Sequence, residues 1–132
     1  MHAPETYDYA VLRVVPRVER GEFINAGILM SCERRGWLQA RIELDHARLH
    51  ALWPDVDVEA VEHALAAIPR ICAGGRDAGP IGLLPLRARF HWLTAQRSAV
   101  IQTSPVHMGS CVDLGATMER LLQRMVRVRQ SG

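Results

Sequence analysis

The chain has 132 residues, of which 48% are hydrophobic and 23% charged, with a formal net charge of +2. Those values fit one folded domain and exclude a disordered tract, and the longest apolar runs, 24–30 and 81–84, are far too short to span a membrane. All sixteen basic residues are arginine, but fourteen acidic residues nearly balance them, which argues against nucleic-acid binding, because that calls for a one-sided basic surface.

One domain is expected over 1–132, with a core at about 7–128, loose ends at 1–6 and 129–132, and an internal connector at 73–80. Residues 7–15, YDYAVLRVV, are β-branched and aromatic with weak alternation, which predicts a strand. Ala10, Leu12 and Val14 share one face and Tyr9, Val11, Arg13 and Val15 the other, so this strand should be central. Pro16 cannot donate to a ladder and marks its end. The charged turn RVERGEF leads into a second strand at 24–30, apolar on both faces, where Gly27 points to a bulge or a close backbone approach. After ERRG, Leu38, Ala40, Ile42 and Leu44 alternate with Gln39, Arg41 and Glu43, giving a third strand with one wet face. Turns this short impose antiparallel pairing.

Asp45 can cap a short helix over 46–53, ended by Pro54. Asp57 can cap a second, in which Val58, Val61, Leu65, Ile68 and Cys72 recur at helical steps. Pro69 is expected to kink that helix or end it early. AGGRDAGP, 73–80, reads as a flexible connector. A third helix is expected from Pro85 to Ala95, a short strand at SAVIQT and a loop at SPVHMGS. A last helix should follow Asp113, with Leu114, Met118, Leu121, Leu122, Met125 and Val128 as its apolar stripe. Strands followed mainly by helices indicate an α+β fold, an antiparallel meander of three or four strands with helices packed on one face. The sheet edge leaves a homodimer open.

Cys32, Cys72 and Cys111 are widely spaced with no CxxC, so they read as small buried hydrophobes. His46 and His50 have helical spacing but no HExxH, and no metal is expected. There is no GxGxxG, no P-loop lysine and no GxSxG elbow, so no cofactor or recognisable catalytic motif is assigned. Two polar clusters stand out. The first is Arg13, Arg17, Glu19, Arg20, Glu22 and Asn25, either a self-paired hairpin turn or a site for a carboxylate or phosphate. Arg13 lies on an otherwise apolar strand face, and Asn25 opens the most apolar strand, so both need partners. The second holds Arg89, His91, Arg97 and His107, where arginine forks could hold an anion beside a histidine that titrates near neutral pH. His107 also lies near Ser104, Ser110 and Cys111, although closeness along the chain does not make a triad.

YDYAVLRVVPRVERGEFINAGILM, ARIELD, RFHWLTAQRSAVIQTSPVHMG and MERLLQRMV together resemble a bacterial family of unknown function, the DUF3037 type, over about 7–128. Ala26 and the segment GSCVDLG depart from its pattern. The resemblance implies a small cytoplasmic protein without assigned activity and, by association, a kinase resembling the toxin HipA as a partner. It carries no catalytic residues. With no secretory signal in MHAPETYDY, the expectation is a cytoplasmic interaction or regulatory module. The alternative is an enzyme or small-anion binder built on the Arg/His cluster.

Overall fold

A computed structural model describes residues 3–95 and 99–128. Its strands are β1 (Glu5–Val14), β2 (Ile24–Cys32), β3 (Trp37–Ile42), β4 (Ile101–Thr103) and β5 (His107–Cys111). Its helices are α1 (His46–Leu52), α2 (Val58–Ala73), α3 (Leu86–Thr94) and α4 (Leu114–Met125). The α+β class and the antiparallel meander are present: β3, β2 and β1 run in spatial order, and β1's other edge takes β4 and β5 in series. The two hairpins close on Gly21 and Gly36, whose φ angles of 70° and 60° suit glycine.

Two bulges shape the sheet. Leu12 pairs with Gly27 but Arg13 with Asn25, leaving Ala26 as the extra residue of β2. Gly27 is next to it, and a Cβ there would stand 2.5 Å from the Arg41 carbonyl oxygen. The anticipated bulge and close approach are therefore neighbours. On the other edge, Leu12 pairs with Thr103 and Tyr9 with His107, so Ala10 and Val11 face three residues, 104–106. Ser104 stitches that gap: the Val11 N–H donates to its Oγ at 2.8 Å, and its own N–H donates to the Val11 carbonyl at 2.9 Å.

Alternation along β1 and β2 feeds two core layers. Leu12, Val14, Ile24 and Leu29 pack with Leu49, Val61, Leu65, Ile68 and Phe90, so α1, α2 and α3 share one face as anticipated. Val11, Ile28 and Met30 pack with Leu114, Met118, Leu121 and Leu122, which places α4 on the opposite face. The third strand's wet face serves α4: Arg41 donates to Glu119 at 2.8 Å, and Arg127 pairs with Glu43 at 2.7 Å and also with Glu119. Hydrogen bonds from Arg127 hold both carboxyls below their usual range.

All three aspartate caps form: Asp45, Asp57 and Asp113 accept from the N–H groups of Arg48, Ala60 and Ala116. Pro69 does not end α2, which runs four residues further. Burial of Ile68, Ile71 and Cys72 opposes the break, and the Arg89 guanidinium closes the helix end by donating to the Ile71 and Cys72 carbonyls at 2.9 and 2.6 Å. The anticipated 73–80 connector contains a 3-10 turn, Arg76–Ala78, and leads into another at Pro80–Leu83. The anticipated 104–110 loop is largely β5, because β4 covers only three residues of a ten-residue strand. Val128 lies off the α4 stripe at 54% exposure, and Val126 is buried instead. Among the described residues no helix is long and apolar enough to cross a membrane.

Candidate functional site

The first polar cluster forms on the turn between β1 and β2. Arg17 pairs with Glu19 and Arg20 with Glu22, all four exposed. These are local, solvated pairs of the kind that contribute about 0–1 kcal/mol. Arg17 also lays its guanidinium 4.6 Å over the Trp53 ring, tying the turn to the end of α1. Arg13 points the other way, onto α4's side of the sheet, and sits 4.2 Å over Phe23. Its Nε is buried without a hydrogen-bond partner. Asn25 donates to the Met125 carbonyl at 2.9 Å, fastening the end of α4, while its buried Oδ1 is unpaired. Register places Asn25, Arg13 and Gln102 side by side on β2, β1 and β4. The two polar segments therefore touch, but through Gln102 rather than through their charges.

The second cluster does not gather around Arg13. Arg89 closes the end of α2 and donates its Nε–H to the Leu84 carbonyl at 3.0 Å, on the face opposite Arg13. His91 is exposed on α3, its ring centroid 6.4 Å from that of Phe90. Arg97 lies outside the described residues. His107 is exposed on β5, directly opposite Tyr9, with ring centroids 5.4 Å apart. An anion held jointly by Arg13 and Arg89 is incompatible with this geometry.

Among the described residues, nucleophile chemistry finds no assembled set either. The Ser104 hydroxyl is engaged by the Val11 N–H and donates to the Pro105 carbonyl at 2.9 Å. All three cysteines are buried, and burial pushes the Cys72 thiol up to about 12, leaving it protonated and unreactive at neutral pH. His46 meets Glu62 at 2.7 Å on the helix surface. Among the described residues no three His, Cys, Asp or Glu side chains come together as metal ligands.

Two adjoining surface depressions are lined mainly by apolar side chains. A cleft of about 280 Å³ lies between α2, α3 and β4, lined by Ala64, Ala67, Ile68, Ile71, Trp92 and Ile101. Past Ala64 and Val100 it borders a second depression of about 380 Å³, formed with Pro16, Trp53, Val56 and Ala60. The signal for it was in the sequence: Ala60, Ala64 and Ala67 recur at helical spacing, and their small side chains leave a trough along α2.

A family model described as "Protein of unknown function (DUF3037)" matches residues 9–126. No curated protein and no solved structure matches the chain.

Proposed function

The chain belongs to the DUF3037 family, and from that premise we propose that it is a cytoplasmic, non-catalytic interaction module. It binds a protein partner through the trough along α2. The observation that carries this reading is the trough itself: two adjoining apolar depressions sharing Ala64 and Val100, bounded by Trp53 and Trp92. Apolar troughs of this form suit a helix that inserts side chains at three- and four-residue steps. The family resemblance makes a kinase resembling HipA the first partner to try.

Affinity capture from native lysate, followed by mass spectrometry, tests the reading. The wild-type chain is expected to retain one partner reproducibly. Ala64→Arg, a change at an exposed helix position, is expected to reduce its recovery about tenfold or more, a loss of about 1.4 kcal/mol or greater. Recovery of the chain alone, or equal recovery by a folded Ala64→Arg variant, would contradict it. A small-anion reading retains one support, the unpaired Nε of Arg13 beside Asn25 and Gln102. Among the described residues, no titratable group of the second cluster accompanies that row.

A further inference from the structure

β5 ends the sheet and, among the described residues, pairs only with β1. Alternate N–H and C=O groups of an edge strand point outward and can template another strand. The bulge at 104–106 limits this edge on one side, and the turn into Asp113 limits it on the other.

The two sides of the edge differ in chemistry. Gly109 has no side chain, so the Tyr7 ring lies across β5, where a Cβ would overlap it. Arg120 and Arg124 stand close enough to this hydroxyl to oppose the upward push of burial on its pKa. Glu119 turns one flank of α4 towards Arg41 of β3, and helical periodicity puts Arg120 and Arg124 on the opposite flank, the side of the sheet where β5 lies. Arg124 has no hydrogen-bond or ion-pair partner among the described residues, and Arg120 reaches only the Thr117 hydroxyl, at 3.3 Å. Exposed His107 lies on the same side. By contrast, Arg17, Arg20, Arg41, Arg87 and Arg127 each face a carboxylate. The neighbouring acids are committed: Glu5 faces Arg34 at 3.8 Å, and Asp113 caps α4. On the other side Met108 is 72% exposed, flanked by exposed Val106 and Val112.

We propose that the outer edge of β5 receives an extended segment of a partner protein as a sixth strand, with acidic side chains under Arg120 and Arg124 and apolar ones beside Met108. Strand alternation requires that pattern, since successive residues of the added strand face opposite sides. A second copy pairing through its own β5 would bring the arginine pairs of both copies together, which disfavours that occupant. An oligonucleotide would use the arginines and rings but leave Met108 uncovered. The proposal rests on the reading of the chain as an interaction module, but uses a surface remote from the α2 trough.

The test uses the full chain and a labelled hexapeptide alternating valine and aspartate, followed by fluorescence anisotropy and by amide NMR. The aspartate peptide is expected to bind about tenfold or more tightly than its lysine counterpart, and Arg124→Glu to lose that preference. Amide shifts should concentrate at 106–112. Methylating alternate peptide nitrogens should abolish binding on one edge of the peptide only. Absent binding, equal binding of the lysine peptide, or shifts centred on α2 would overturn the proposal. So would a concentration-dependent dimer burying β5, or tighter binding of a short oligothymidylate at the same amides. If the peptide fails while Ala64→Arg still abolishes capture, only the β5 assignment falls.

Discussion

Gly27→Ala is expected to destabilise the chain by about 3 kcal/mol, enough to leave a substantial unfolded fraction in a domain of ordinary stability. The added Cβ would stand 2.5 Å from the Arg41 carbonyl oxygen, 3.3 Å from Ile42 Cα and 3.2 Å from Leu12 Cδ1. Two of those three atoms are backbone of β3, so relief requires the strands to separate. Separation would cost the ladder from Gly27 to Cys32 and the adjoining bond from the Glu43 N–H to the Ala26 carbonyl. Ala26→Gly serves as the control: it changes the bulged residue itself, removes no contact of that kind, and should cost only about 1 kcal/mol. Urea denaturation at 25 °C measures both. A Gly27→Ala midpoint close to wild type would mean that β2 and β3 lie further apart than described.

Phe90→Ala is expected to cost about 4 kcal/mol. Phe90 is 1% exposed and is the only fully buried side chain of α3. Its ring fills the layer between α2 and the sheet and carries the Arg87 guanidinium 5.3 Å above it. Arg87 in turn pairs with Asp8 at 2.6 Å. Truncation therefore leaves a cavity and loosens an ion pair that helps hold α3 on β1's face. Because Trp92 and Leu93 line the trough, the same variant should bind the α2 partner less well even where it remains folded. Thermal unfolding gives the stability change, and a loss under about 1 kcal/mol would contradict the central placing of Phe90.

Much of the fold was legible because its signals are local. Asp45, Asp57 and Asp113 each precede an apolar run at helical spacing, and each caps the anticipated helix. Alternation separated Leu12 and Val14 from Val11 and Arg13, and those sets enter different layers or faces. β5 was hidden because only Cys111 within it is buried, so edge exposure erases alternation. Its existence depends on the free edge of β1, a property of the assembled sheet. Pro69 misled because the rule against helix prolines is local, whereas Arg89 meets the carbonyls of Ile71 and Cys72 from α3, which lies beyond the 3-10 turns after α2.

The candidate site was less legible for the same reason. Arg17 with Glu19 and Arg20 with Glu22 are two residues apart, and self-pairing was one of the two readings open from the sequence. Asn25 finds its partner a hundred residues away at Met125, and nothing in the sequence announces that bond. Arg89 resembled an anion ligand because a guanidinium suits carbonyl oxygens as well as phosphates. The trough was written in Ala60, Ala64 and Ala67, residues without chemical distinction, and acquires meaning only beside Trp53, Trp92 and Val100.

The most direct measurement is a methyl NMR titration of the chain with its captured partner, following Ala60, Ala64 and Ala67. The account predicts that these three methyls shift and saturate together at one equivalent of partner, and that Ala64→Arg removes the response. A partner that binds fully while all three methyls stay unmoved would contradict it.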